Sequence, residues 1–452
     1  MHDLRRQALE SGKTVSRKAR SKAVSTTSSK ANSKAGSTLN SPAQSRANSR
    51  NPSRHGSDEE EYASDGSAWS DSAASIEDLL NHDEGDVAVH VWKTKLLEFI
   101  EQIIDRKRSS TEGRADSLRG YTHILRMIYG KDEIVHRMGD LLPAILRSIK
   151  AETNEHETVT ALKALAVTII TVNSDNIYDS VASPLKRSIA DSESVQTKIS
   201  AIHALGTAAF FGGASEEEAE DIMGFFLEII ESDGLSINAH DEGSVVIAAL
   251  EEWGLLATEI EDMEDATEAA VEAFVDQLES SDRGVQIAAG ENIALLFEKS
   301  YTPREDDEEL SEEGTNSDED EPSSSVKFVK RYTVYRRQDQ LMHTLDELAT
   351  ISTRKISKKD RKTMHLSFVD VKNSVEMPTI GPRYSMALDP VTGRPYGSRW
   401  KIRINRNVVL TINKWWKLMR LNAIRRIVQG GFVQQYEENE AVSRSLPFSM
   451  AY

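Results

Sequence analysis

The sequence predicts an all-α protein: an α-solenoid of stacked helix pairs, then a small basic C-terminal domain ending in an amphipathic helix, behind a disordered N-terminal tail. Three observations predict this fold class. Apolar residues recur at helical spacing between residues 87 and 303, this pattern repeats about every 40 residues, and the sign of the charge changes along the chain. The 452 residues carry 55 Lys and Arg against 73 Asp and Glu, a net charge of −18.

The segments before the first predicted helix differ in charge. Residues 1–57 form a basic, Ser-rich tail, and residues 58–86 are acidic. Neither segment has enough large apolar residues to offset the entropy cost of ordering the chain. We therefore expect both segments to be disordered.

Residues 87–303 contain an internal repeat. A large apolar residue recurs about every 40 residues, and in the last four repeats a small residue follows it directly. Two amphipathic helices per unit of this length are typical of HEAT or armadillo repeats, which bury their apolar faces by stacking, and we expect about five of them. The large residues are Leu125, Leu165, Leu205, Trp253 and Ile293, and the small ones are Ala166, Gly206, Gly254 and Ala294.

The second half of the predicted solenoid is strongly acidic. Residues 199–282 contain no Lys or Arg but many Asp and Glu. Such a surface repels phosphate at short range. We expect it to face basic protein partners, solvent or the chain's own basic segments, and not nucleic acid.

The chain after the solenoid changes character several times. Residues 304–325 are predicted to be an acidic linker or inserted loop, and residues 326–352 to cap the solenoid through an apolar stripe. Residues 353–436 form the predicted basic C-terminal domain, followed by a tail at residues 437–452. The stripe consists of Leu341, Leu345, Leu348 and Ile351.

The basic domain is predicted to bind RNA. Clustered cations neutralise phosphates, and aromatic rings and guanidinium groups stack on unpaired bases. A helix predicted over residues 408–429 places apolar residues on one side and cations on the other. Its Trp415 and Trp416 suit either the core or a base contact. The predicted RNA-binding residues are Lys358, Lys359, Arg361, Lys362, Arg383, Arg394, Arg399, Trp400, Lys401, Arg403, Arg406, Lys414, Lys417, Arg420, Arg425 and Arg426.

The string Ser357-Lys358-Lys359-Asp360-Arg361-Lys362, followed by Phe368, Asp370 and Val375-Glu376, resembles the interferon-related developmental regulator family. Together with the order of the segments, the resemblance covers roughly residues 58–430. It implies a helical-repeat domain followed by a short C-terminal domain. It also implies binding to translationally idle ribosomes, with a basic C-terminal helix in RNA-lined space, or transcriptional co-regulation through protein contacts.

Other functions find little support in the sequence. The chain has no Cys and none of the nucleotide-binding, metalloprotease or serine-hydrolase motifs, so we expect no enzyme activity, cofactor, metal site or small-molecule substrate. The basic helix would also suit a bilayer surface, but no lipidation motif accompanies it. We expect a cytoplasmic protein, with a nuclear location also open. The hypothesis is a scaffold that binds ribosomal RNA, and the alternative is a nuclear co-regulator whose solenoid binds proteins.

Overall fold

The fold is built from pairs of helices, as the sequence predicts. The computed structural model describes residues 85–304, 328–351, 357–390, 393 and 395–448. The predicted basic tail, almost all of the acidic segment at 58–86 and almost all of the acidic linker lie outside these ranges.

The helices of the solenoid and the two that follow it occupy most of the described chain up to residue 376. In chain order they are α1 (Gly85–Ile104), α2 (Thr111–Met127), α3 (Lys131–Val135), α4 (Met138–Ala151), α5 (Glu155–Val172), α6 (Ile177–Asp191), α7 (Val195–Phe211), α8 (Glu216–Glu231), α9 (Gly243–Ala257), α10 (Glu264–Gln277), α11 (Arg283–Lys299), α12 (Gln338–Thr350) and α13 (Lys358–Glu376).

The second helices of the repeats form a continuous row, which we call the inner row. In it α2 packs on α5, α5 on α7, α7 on α9, α9 on α11, and α11 on α13. The predicted large residues form its core, since each of the five is at most 1% exposed. In α12 the predicted stripe residues Leu341, Leu345 and Leu348 are buried as well. The predicted all-α solenoid is thus confirmed, and α12 packs against α13.

Helix starts follow from local sequence. Ser110, Ser194 and Asp282 each precede an inner-row helix, and each side-chain oxygen accepts a hydrogen bond from a backbone N–H of the first turn. Ser215 and Glu218 form a reciprocal capping box at the start of α8. These caps satisfy N–H groups that the helix itself leaves without partners.

Two glycines of the inner row make room for polar side chains of the next repeat. A Cβ on Gly206 would lie 2.0 Å from a carboxylate oxygen of Glu252, and a Cβ on Gly254 would lie 2.5 Å from Oδ1 of Asn292. The small residues therefore do more than let helices approach. They admit a buried carboxylate and a buried amide into the row.

In the described part of the chain, three antiparallel strand pairs follow the solenoid. Strands β1 (Tyr301–Pro303) and β2 (Phe328–Lys330) pair with Pro303 opposite Phe328, so the acidic stretch joins two paired strands as an inserted loop does. Strands β3 (Tyr384–Leu388) and β4 (Pro395–Ser398) form one hairpin. Strands β5 (Lys401–Arg403) and β6 (Val409–Thr411) form another.

The C-terminal region differs from the prediction in two places. The predicted helix at 408–429 is shorter, since α14 covers only Trp415–Val428. Residues 409–411 form strand β6 instead, because their burial alternates as in a strand, with Leu410 buried between less buried neighbours. Residues 437–448, predicted as part of a tail, contribute to α15 (Phe432–Glu438) and contain α16 (Glu440–Ser445). Val442 and Leu446 are buried there, and Asn439 donates to Ile170 O of α5 at 3.0 Å. Contacts with the distant inner row order this segment.

Helix α14 lies along the inner row. It contacts α2 and α5 from the first repeats as well as α9 and α11 from later ones. Its 14 residues extend about 21 Å, whereas α2 and α11 would lie about 40 Å apart in a straight row of helices spaced about 10 Å apart. The row must therefore curve around α14.

The first prediction tests the repeat register. Replacing Leu205 with Ala should lower the free energy of unfolding by about 2–5 kcal/mol, because the residue is fully buried and truncation leaves a cavity. Replacing the exposed Glu217 with Ala should change it by less than about 0.5 kcal/mol. Urea unfolding measures both values, and equal losses would contradict the register.

Candidate nucleic-acid interface

The N-terminus of α14 is held by a carboxylate of the solenoid. Glu298, at the end of α11, accepts hydrogen bonds from the backbone N–H groups of Trp415 at 2.9 Å and Trp416 at 3.1 Å. Burial raises the pKa of the Glu298 carboxyl, while Lys414 and these two N–H donors act in the opposite direction. A carboxylate at this position satisfies two otherwise unpartnered donors and interacts favourably with the positive end of the helix dipole.

The C-terminus of α14 is held by a cation of the solenoid. Arg126 of α2 donates to Ile427 O at 2.8 Å and to Gln429 Oε1 at 2.9 Å. It is 5% exposed, and burial lowers its pKa to about 10. The backbone passes so close that a Cβ on Gly431 would lie 1.8 Å from Arg126 O. The first and fifth repeats thus bind opposite ends of one helix. Each repeat supplies a charge opposite to the partial charge of the helix dipole at that end.

The cations of α14 are paired with the acidic repeats. Arg426 binds Glu251 of α9 at 2.6 Å and also binds Glu252. Arg420 donates to Thr258 Oγ1 at 2.8 Å and to Glu259 at 3.0 Å. Part of the acidic stretch thus faces the chain's own basic segment, one of the three possibilities that its composition allows.

The predicted polar face of α14 is therefore corrected. Lys417 is 5% exposed with its ammonium 5.5 Å from the Trp416 ring, and Arg420 and Arg426 are occupied by the solenoid. These three cations do not form an RNA surface, because carboxylates and rings of the same chain already surround them. Arg425 is half-buried beside the ring of Phe432.

The two tryptophans of α14 differ in their surroundings. Trp415 is 2% exposed and its Nε1 donates to Ser374 Oγ at 2.7 Å, so it belongs to the core. Trp416 is half-buried, with the guanidinium of Arg420 5.0 Å from its ring. Lys414, just before the helix, is half-buried and donates to Thr379 O at 3.2 Å.

Glu252 of α9 is the most deeply buried charged side chain among those that contact α14 or its cations. It is 0% exposed, accepts from His203 Nδ1 at 2.8 Å and pairs with Arg426. Burial acts to lower the pKa of Arg426, but Glu252 and Glu251 outweigh it and raise the pKa above its ordinary value. A buried carboxylate of this kind depends on its partners, because desolvation without them is expensive.

A second group of predicted cations is exposed. Arg399, Lys401, Arg403 and Arg406 lie on and beside the β5–β6 hairpin and form what we call the hairpin cluster. Ile402 and Ile404 alternate with them and are buried, so the strand turns its charges outward. Within the described residues, none of the four cations forms an ion pair.

A third group lies at the start of α13. Lys358, Lys359 and Lys362 are exposed and form what we call the helix cluster, while Arg361 is half-buried. Asp360 points elsewhere, since it pairs with Arg283 of α11 at 2.8 Å.

Arg383 forms a stacked pair with Trp400, which lies between Arg399 and Lys401 of the hairpin cluster in the sequence. The guanidinium carbon lies 4.0 Å from the centre of the Trp400 ring, and both residues are half-buried. The predicted contact Arg394 lies outside the described residues. Among the described site residues, the structure thus separates an exposed set from a set enclosed by the solenoid, and the Arg383–Trp400 pair is intermediate in exposure.

Two solenoid residues that bind the ends of α14 are absent from the predicted site. Arg126 and Glu298 each lie in a largely apolar stretch of their helix, in the strings HILRMIYG and IALLFEK. A charge that follows a run of buried apolar positions is a signal that it has a distant partner. The sequence gives no indication of which partner that is.

The geometry describes a helical-repeat scaffold that encloses its own C-terminal helix and displays cations beyond it. In the described part of the chain no three His, Cys, Asp or Glu residues are grouped to hold a metal ion, and no helix combines the length and hydrophobicity that a membrane span needs.

Comparison with known proteins identifies the family. The sequence profile described as interferon-related developmental regulator matches residues 62–376, so the chain belongs to this family of regulators. An uncharacterized protein of Schizosaccharomyces pombe is 25% identical over 362 residues, which cover 79% of this chain and 75% of the relative. The family match ends at the last residue of α13, before the hairpins and α14.

The second prediction tests the seat of α14. Replacing Arg426 with Leu should lower the free energy of unfolding by about 3–5 kcal/mol, because the charge of Glu252 stays buried without its main partner. Arg444→Leu is the matched control, since Arg444 is 75% exposed and pairs with an exposed Glu440, and it should cost less than about 1 kcal/mol. Similar losses in urea unfolding for both variants would contradict the assignment.

The third prediction concerns pH. Glu291 of α11 is partly buried, and burial, with Glu251 and Asp370 nearby, raises its pKa from 4.5 to about 8. The folded protein thus binds a proton at the Glu291 carboxyl more tightly than the unfolded chain does. The stabilisation that this protonation contributes is complete below pH 4.5 and is lost as the pH rises through about 8.

Replacing Glu291 with Gln removes this titration. The variant should show a flatter decline of the free energy of unfolding between pH 5 and pH 9 than the parent protein, measured by urea unfolding at each pH. The exposed Glu217→Gln is the control and should keep the parent slope. An unchanged slope in the Glu291 variant would contradict the raised pKa.

Proposed function

We propose that the protein is a non-enzymatic regulator that binds ribosomal RNA through its exposed C-terminal cations and so represses or shelters idle ribosomes. The observation that carries the proposal is the hairpin cluster. Its four cations are exposed and form no ion pair within the described residues, although the chain carries 73 acidic residues. Cations left exposed in this way are suited to neutralising phosphates.

The helix cluster supports the same proposal. Lys358 and Lys359 occupy the first turn of α13, where the positive end of the helix dipole disfavours cations. A bound phosphate would relieve that repulsion and also accept hydrogen bonds from the helix N-terminus. Both clusters therefore favour an anionic polymer as the partner.

The inner row does not suit RNA. Helix α14 covers one side of the row, and the repeats that contact α14 contribute Glu251, Glu252 and Glu259. Carboxylates there would repel a phosphate backbone. RNA would therefore lie on the C-terminal surface, while the acidic outer faces of the solenoid stay available to protein partners. The co-regulator alternative would use those faces alone.

The fourth prediction tests the hairpin cluster. Changing Arg399, Lys401 and Arg403 to Glu should weaken binding of ribosomal RNA by at least about tenfold and flatten its dependence on salt, because fewer counterions are released. Filter binding across a salt series measures both effects. The same variant, expressed in cells, should leave the ribosomal fractions of a sucrose gradient.

The control carries the same change of net charge elsewhere. Lys107, Lys150 and Arg187 are exposed cations of the solenoid, and changing all three to Glu should leave RNA binding nearly intact. Equal losses in both triple variants would show that net charge alone matters and would refute the site. A parent protein that never enters the ribosomal fractions would favour the co-regulator alternative.

A further inference from the structure

The β3–β4 hairpin exposes apolar side chains. Met386 is 55% exposed, Leu388 62% and Tyr396 56%, although the hairpin is only a two-stranded antiparallel pair. Large apolar groups gathered on a short exposed hairpin are unfavourable in water and indicate a surface that a partner covers. The neighbouring residues indicate what kind of partner this is.

The base of this hairpin joins the hairpin cluster. The backbone N–H of Arg399 donates to Arg383 O at 3.2 Å, and Trp400 then leads directly into β5. Its ring lies under the guanidinium of Arg383, and Lys401 and Arg403 follow on the exposed side of the strand. Tyr396, Trp400 and the exposed cations thus all lie between residues 396 and 403, and the contacts with Arg399 and Trp400 bring Arg383 to them.

Arg383 is held in an unusual backbone conformation. Its φ is 52°, in the left-handed region that non-glycine residues seldom adopt. Its backbone N–H donates to Asp370 of α13, and its carbonyl accepts from Arg399. Glycine would avoid the strain but would provide no guanidinium. A strained residue fixed by its neighbours and aimed at an aromatic ring indicates a functional position for that side chain.

We propose that Tyr396 and the Arg383–Trp400 pair bind unpaired bases, so that this surface selects single-stranded over double-stranded RNA. The inference rests on the proposed function and narrows its substrate. Aromatic and guanidinium planes stack on bases only when those bases are not already stacked in a duplex. Arg399, Lys401 and Arg403 would hold the phosphates. A second copy of the chain is a poor occupant, because it would bring the same cations together.

The test uses the full chain and one fluorescein-labelled RNA strand of mixed sequence, alone or annealed to its complement. Fluorescence anisotropy should show about tenfold tighter binding of the single strand, as expected when a base stacks on a ring. Tyr396→Ala should remove most of this preference and leave duplex binding unchanged, whereas Tyr396→Phe should retain it. Arg383→Lys keeps the charge but loses the planar group, so it should also reduce the preference.

Each other outcome has a definite meaning. Equal affinity for both RNAs, lost together in the Arg399, Lys401 and Arg403 triple variant, would overturn base stacking and leave the proposed function standing. The same holds if Tyr396→Ala keeps the full single-strand preference. Failure of the parent protein to bind either RNA at low salt would overturn both. Because Tyr396 is exposed, its replacement should leave the melting temperature unchanged, which separates lost contacts from lost folding.

Discussion

The structure depends on the position of one helix, α14, between the two ends of the curved inner row. Glu298 in the fifth repeat binds the N-terminus of α14, and Arg126 in the first binds its C-terminus. Each charge suits the helix dipole at its position, so the reversed helix would be disfavoured at both ends. The repeats by themselves contact only their neighbours, and α14 is the element that ties the first to the last.

This position of α14 also explains the uneven charge of the chain. The acidic repeats would repel each other if nothing balanced them, and α14 brings Arg420 and Arg426 to Glu251, Glu252 and Glu259. The C-terminal cations then divide into two sets with different tasks. Those on α14 stabilise the fold, and those on the hairpin and on α13 stay at the surface, where an anion can reach them.

The sequence predicts the solenoid well and the site only in part. Positions such as Leu205 and Trp253 are predictable because repeat periodicity is local, and the structure buries both. The polar face of α14 is predictable as a pattern but not as a surface, since Arg426 pairs with Glu251 from 175 residues away. A helix with cations on one side suits solvent, RNA or an acidic groove equally well. Only the folded chain distinguishes these environments.

Family membership and chain-specific geometry account for different parts of the molecule. The match to residues 62–376 covers the repeats, α12 and the lysines at the start of α13, and it stops before Arg383. A regulatory role for the scaffold therefore follows from the family. A functional role of the hairpins is inferred from geometry alone: they carry exposed cations and exposed apolar groups, and a strained Arg383 stacks on Trp400. If RNA selectivity lies there, a relative could share the scaffold and still differ in what it binds.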